Sequence, residues 1–138
     1  MIKEKELVYI CSPLSAPIEV QIKENMSFAR FYVKVVASQF RCRPIAPHSF
    51  LPEYLDDNDP EERKTGLQFG LSVLEISKAM VVCGSRISSG MLGEIRKAKE
   101  LRIPNYALVI QGNEISLAGF QEKEECHDMQ VCKGHFSE

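Results

Sequence analysis

Short apolar runs rich in strand-forming residues alternate with longer amphipathic stretches along most of this chain, and that alternation restricts the fold more than any other feature. "LVYIC" (7–11) reads as a buried strand, stopped by Ser12-Pro13. A helical pattern follows, in which Phe28, Phe31, Tyr32, Val35, Val36 and Phe40 recur at three- and four-residue steps and so share one face. "RCRPIAP" (41–47) gives a short second strand ended by Pro47, and the polar loop "HSFLPEYLDDNDPEER" comes next. Asp59-Pro60-Glu61-Glu62 starts a second helix. Asp caps free N–H groups, Pro suits the first helical position, and acids favour the positive end of the helix dipole. Leu67, Leu71 and Leu74 supply its expected buried stripe. "AMVVCG" (79–84) is a third strand, "GSRISSGMLGEIRKAKEL" (84–101) a turn and third helix, and "IPNYALVI" (103–110) a fourth strand.

Strand and helix repeated three times and closed by a strand imply parallel strands joined by right-handed crossovers, with helices on both faces. The expected fold is α/β: a Rossmann- or flavodoxin-like three-layer sandwich with a parallel sheet of four to five strands. The first strand should lie inside the sheet, because crossovers leave it in opposite directions. This domain takes residues 1–110. Residues 111–138 are set apart as a polar tail, an arm or a short helix.

Seventeen basic and nineteen acidic residues leave a net charge of −2, so bulk charge gives no expectation of a nucleic-acid polymer as partner. The apolar runs are too short to cross a bilayer, and "MIKEKELVYICS" lacks the apolar core of a signal peptide. A cytoplasmic protein without a membrane partner is the expectation. Cys11, Cys42 and Cys83 fall in or beside strand-like runs, which suits small buried thiols in a reducing compartment. "CHDMQVCKGH" (126–135) holds zinc-type ligands, but its spacing matches no familiar zinc site.

Ligands on such sheets bind beyond the carboxyl ends of the strands. Those ends carry Ser12 and Pro13, then His48, then the turn Ser88, Ser89, Gly90 and Met91. Glu94 follows one turn inside the third helix. At ~100° per residue it projects between Ala98 and Leu101, at the margin of the buried stripe. A capping box would need Ser or Thr three residues before it, and Met91 stands there. A plain helix-start acid is the remaining structural explanation. The chemical alternative uses the free N–H groups of the helix tip for an anion and an ionised Glu94 for whatever the anion is attached to. A carboxylate beside a sugar carbon can stabilise or capture an oxocarbenium ion.

The stretches "VYICSPL", "PIAPHSF" and "VVCGSRISSGMLGEIRKA" together resemble the nucleoside 2-deoxyribosyltransferase-like superfamily, which includes 2'-deoxynucleoside 5'-monophosphate N-glycosidases and bacterial and phage relatives. The resemblance covers residues 7–109. It implies cleavage of an N-glycosidic bond with Glu94 as nucleophile and Tyr9 of the first strand as its companion. Substrate contacts would come from Ser12, Pro13, His48, Ser88, Ser89, Gly90 and Met91. It also implies a small nucleoside or nucleotide as substrate, no metal or organic cofactor, and a homodimer or larger homo-oligomer. The chain departs from the pattern on the helix before the third strand. There "GLQFGLSVLEISKAM" has Glu75 as its only acid, and Lys78 where relatives often place Asp. Asp56, Asp57 and Asp59 are the nearby acids that could substitute. Without a second carboxylate, a nucleotide-binding module without turnover is the alternative expectation.

Overall fold

A computed structural model describes residues 1–120. The elements are β1 (Leu7–Cys11), α1 (Glu19–Phe40), β2 (Arg43–Ile45), α2 (Pro60–Ile76), β3 (Ala79–Val82), α3 (Ser89–Glu100), β4 (Asn105–Gln111) and β5 (Glu114–Gly119). Two short 3-10 turns, Pro47–Ser49 and Leu51–Glu53, lie between β2 and α2. The strand order is β2-β1-β3-β4-β5. Pairings among the first four strands are parallel, and β5 joins β4 antiparallel. The fold is therefore α/β, with a mostly parallel five-stranded sheet and three helices, consistent with a flavodoxin-like fold. β1 lies inside the sheet between β2 and β3, as its crossovers require.

The run "LVYIC" is apolar throughout because both faces of β1 are covered. Val8 and Ile10 pack with Ala29 and Val36 of α1, while Tyr9 and Cys11 pack with Leu74 of α2 and Met91, Ile95 and Ala98 of α3. Side chains alternate along a strand, so Tyr9 and Cys11 share a face two residues apart. That spacing matters for the site.

The helices turn the expected faces inward only in part. Of the stripe expected on α1, Val36 is buried and Tyr32 and Phe40 pack against the core, but Phe28 and Phe31 are 56% and 49% exposed, and Met26 and Ala29 are buried beside Val36. Ala29 is fully buried, and a small residue there lets the helix backbone come close to the strands. On α2, Leu67 is 60% and Leu71 38% exposed, and only Leu74 of the expected stripe is buried. The acid-rich start of α2 behaves as expected: Asp59 accepts a hydrogen bond from the Glu61 amide at 3.0 Å.

The described part of the segment set apart as a tail forms β5, paired along its length with β4. The turn is Gly112-Asn113. Its positive φ of 60° falls on Gly112 and not on Asn113, the pattern of a type II′ hairpin. The residues of "CHDMQVCKGH" lie outside the described residues. Cys11, Cys42 and Cys83 are free and buried. Among the described residues no helix is long and apolar enough to cross a membrane.

Gly84, just beyond β3, has φ 102°, and a Cβ there would lie 3.3 Å from Pro13 Cδ. Gly84→Ala combines a left-handed backbone with a tight contact against a rigid ring. We expect it to lose about 1–3 kcal/mol of stability in urea titration. Gly112→Ala, which meets nothing within 4 Å despite φ 60°, isolates the backbone part. Equal losses in the two variants would show that the Pro13 contact contributes nothing.

Candidate active site

The carboxyl ends of β1, β2 and β3 lie along one edge of the sheet, and there the first turn of α3 reaches β1, where the Cys11 sulfur lies near the Met91 carbonyl. Ser88 is the N-cap of α3, in extended conformation, and its hydroxyl accepts from the Met91 amide at 3.3 Å. The Met91 sulfur reaches back to the Ser88 amide at 3.4 Å. This reciprocal cap does the structural work at the helix start, so Glu94 is not needed for it. The Leu92 amide goes to the Ser88 carbonyl at 3.0 Å. The exposed Ser89 and Gly90 stand at the helix tip, where amides lack intrahelical partners.

Glu94, the sixth residue of α3, turns its carboxyl toward β1. The Tyr9 hydroxyl donates to Oε2. The Cys11 thiol donates to Oε1 at 3.5 Å and also lies 3.9 Å from the Met91 carbonyl. Each carboxylate oxygen thus has its own donor, and both donors come from one face of one strand. α2 closes the site from the side. A Cβ on Gly70 would sit 3.4 Å from the Tyr9 hydroxyl, so the helix backbone comes close to that group here.

Burial dominates the electrostatics. It pushes the Glu94 carboxyl up to about 7, and the hydrogen bonds from Tyr9 and Cys11 pull the other way. Expectation from sequence had Glu94 ionised beside the helix dipole. Six residues into α3 the dipole has faded, and loss of water decides, leaving the group poised near neutrality. Burial, reinforced by the Glu94 charge, raises Tyr9 and Cys11 far above their ordinary values. Both stay protonated and act as donors.

A second pair lies at the ends of β1 and β2. The Ser12 hydroxyl and His48 Nε2 are 2.6 Å apart. The turn that carries His48 is fixed by Ser49, whose hydroxyl donates to the Ala46 carbonyl at 2.7 Å, and by Arg30, which donates to the Ser49 carbonyl at 2.9 Å. Burial lowers His48 to about 4, so its ring is neutral at physiological pH.

The structure therefore joins Tyr9 with Glu94, Ser12 with His48, and Ser88 with Met91. Cys11 bridges the first and third of these groups. Cys11 and Gly70 are the site residues that sequence reasoning missed. The acids considered as substitutes are engaged locally or turned outward. Asp59 caps α2, Asp56 accepts from the Asn58 amide at 2.9 Å, and Asp57 and Glu75 are exposed.

A cavity of about 410 Å³ opens on the α1 side of the same edge. Phe28, Tyr32, Leu108 and Ile110 form its apolar walls, and Asn25 and Arg86 bring polar groups. Glu94 is not in its lining, so cavity and carboxylate lie toward opposite faces of the sheet. Among the described residues no cluster of His, Cys, Asp and Glu has the makings of a metal site.

A family model described as "Domain of unknown function (DUF7768)" matches residues 6–108. No curated protein matches the chain. Among solved structures, a 2-deoxyribosyltransferase from the psychrotolerant bacterium Bacillus psychrosaccharolyticus is similar, with a TM-score of 0.56 and 16% identity over 91% of this chain and 95% of that one. At that identity the similarity speaks for the fold alone.

Proposed function

Since the chain belongs to the DUF7768 family, whose description names no chemistry, its function rests on the site, and we propose that the protein cleaves the N-glycosidic bond of a 2'-deoxynucleoside or its monophosphate. The observation that carries this reading is the Glu94 carboxyl held on both oxygens by β1 donors, at the carboxyl edge of the sheet and beside a helix tip. The fold shared with a 2-deoxyribosyltransferase is in keeping with it, and we read the layers as three, with α1 over one sheet face and α2 and α3 over the other.

In the proposed reaction the ionised Glu94 attacks C1' of the sugar. The C1'–N bond breaks, and its electron pair leaves with the base, which takes up a proton. The resulting glycosyl ester is then opened at C1' by water, which loses a proton, or by a second base; Glu94 returns as a carboxylate. A 2-deoxy sugar lacks the electron-withdrawing hydroxyl, so its cation forms more readily and one carboxylate suffices. Ser12, Pro13 and neutral His48 hold the sugar. The turn from Ser88 to Met91 presents the helix tip to a phosphate. No cofactor enters. For the homodimer that the resemblance implies, the exposed Phe28, Phe31, Leu67 and Ile76 provide apolar surface.

A second reading, a nucleotide-binding module without turnover, is favoured by the cavity. Its Phe28 and Tyr32 rings, 6.4 Å apart and near parallel, and the Arg86 guanidinium could hold base and phosphate without Glu94. Chromatographic assay of free and exchanged base from a panel of deoxy- and ribonucleosides and their monophosphates separates the readings. Release confined to 2'-deoxy substrates supports the enzyme. Tight binding with no release from any substrate, lost in Arg86→Ala, supports the binding module.

A further inference from the structure

We propose that Cys11 is a positioning residue for Glu94: its buried thiol holds one carboxylate oxygen while Tyr9 holds the other, so that β1 alone sets the direction of the carboxylate. This rests on the reading of Glu94 as the reacting group. The contact itself is structural and can be tested without turnover.

Three observations single out this thiol. Cys42 and Cys83 place their sulfurs 3.8 and 3.7 Å from nearby backbone carbonyls, of Val36 and Val81. Among the described cysteines, Cys11 alone reaches a carboxylate. Next, Tyr9 and Cys11 lie two apart on one strand face, and Met91 and Glu94 lie three apart on α3, so two regular spacings meet at one point. Finally, the thiol has two acceptors within reach, Glu94 Oε1 at 3.5 Å and the Met91 carbonyl at 3.9 Å, and one proton to give. An ionised Glu94 is the nearer and stronger acceptor. Once Glu94 is protonated, the thiol is free to turn to Met91.

Among the described residues, the side chains that shift Glu94 are Tyr9 and Cys11. From α2, Gly70 faces the Tyr9 hydroxyl, and Cys83 of β3 acts on Cys11. Burial keeps the Cys11 thiol protonated, so it remains a donor through the range in which Glu94 titrates. Removing it leaves Oε1 without that partner and favours the protonated carboxyl.

The test follows the Glu94 carboxyl by infrared difference spectroscopy, assigned by its loss in Glu94→Gln. Cys11→Ala should raise the titration midpoint by roughly half a pH unit, the scale of one weak hydrogen bond to a carboxylate. Cys11→Ser, which restores a donor, should bring it back to or below the wild-type midpoint. Cys83→Ala should leave it unmoved. A Cys11→Ala midpoint equal to wild type, or a serine variant that behaves like alanine, overturns the proposal. The S–H stretch of the wild-type protein gives an answer that needs no Cys11 variant to fold. One S–H band should shift as pH crosses about 7 and lose that dependence in Glu94→Gln; a band indifferent to pH in both proteins overturns the proposal. Where base is released, the acid limb of its pH profile should move with the carboxyl midpoint. Absence of release would count against the glycosidase reading and leave the infrared result to decide the role of Cys11.

Discussion

Base release by Glu94→Gln is expected to fall at least ~10²-fold below wild type, with substrate affinity retained. Gln has the shape of Glu, and its carbonyl can still accept from Tyr9 or Cys11, so the surroundings of residue 94 change little. What disappears is the negative charge that meets C1' as the glycosidic bond breaks. Loss of a principal transition-state contact costs about that factor or more, and it falls on turnover when ground-state contacts remain. Those contacts are assigned to Ser12, His48 and the Ser88–Met91 turn. Because burial places Glu94 near 7, release by the wild type should rise with pH through that value and level off above it. A helix-start acid would behave otherwise. It would leave turnover unchanged and cost at most ~0.3–1 kcal/mol of stability on removal. The Ser88–Met91 cap already serves the helix start, which argues against that role.

Stability as a function of pH should separate Glu94 from His48. The folded-state carboxyl is raised from 4.5 to about 7. Below pH 4.5 Glu94 is protonated whether the chain is folded or not, and it costs nothing. As pH rises the unfolded chain releases this proton first, so folding loses stability up to about pH 7, by a total on the order of 3 kcal/mol. His48 acts in the opposite sense. Its folded value is lowered from 6.5 to about 4. The unfolded chain takes up that proton first as pH falls, so the contribution of His48 is complete above 6.5 and lost, by a similar amount, down to about 4. Between about 4.5 and 6.5 the two slopes oppose each other, and their combined contribution in the wild type should be nearly flat. Glu94→Gln should uncover a rise with pH through that window and exceed wild-type stability by a few kcal/mol at pH 8. His48→Gln should uncover a fall. Urea unfolding in steps from pH 4 to 8 reads all three profiles, and parallel profiles would show that neither group is buried as described.

Most of the sheet is legible in the sequence because β1 and β3 are covered on both faces and therefore continuously apolar. β5 is harder to see. It is an edge strand, its exposure alternates from Glu114 to Leu117, and a short alternating run carries little signal. The Gly112-Asn113 pair between Gln111 and Glu114 was the cue, since a two-residue turn of that type joins hairpin strands. The inward faces of α1 and α2 are legible only in part, for another reason. Val36 and Leu74 of the expected stripes are buried, but large residues such as Phe28 and Leu67 dominate a hydrophobic stripe on paper, while close packing against parallel strands favours the small Ala29.

At the site, Glu94 stood out because a carboxylate interrupts an amphipathic pattern. Cys11 did not, because a cysteine in an apolar run fits the core equally well. Its contact with Glu94 joins residues 83 apart in sequence and exists only once β1 and α3 have packed. The ionisation of Glu94 is hidden in the same way. Its place on the helix is local information, while the burial that shifts it is made by the whole sheet edge.

The most direct measurement is release of free base from 2'-deoxynucleoside monophosphates, with wild type and Glu94→Gln assayed alongside substrate binding on the same preparations. The result expected is release by the wild type, at least ~10²-fold slower release by the variant, and binding by both. Equal release from the two proteins, or binding by the wild type with no release at all, would contradict the assignment of Glu94 as nucleophile.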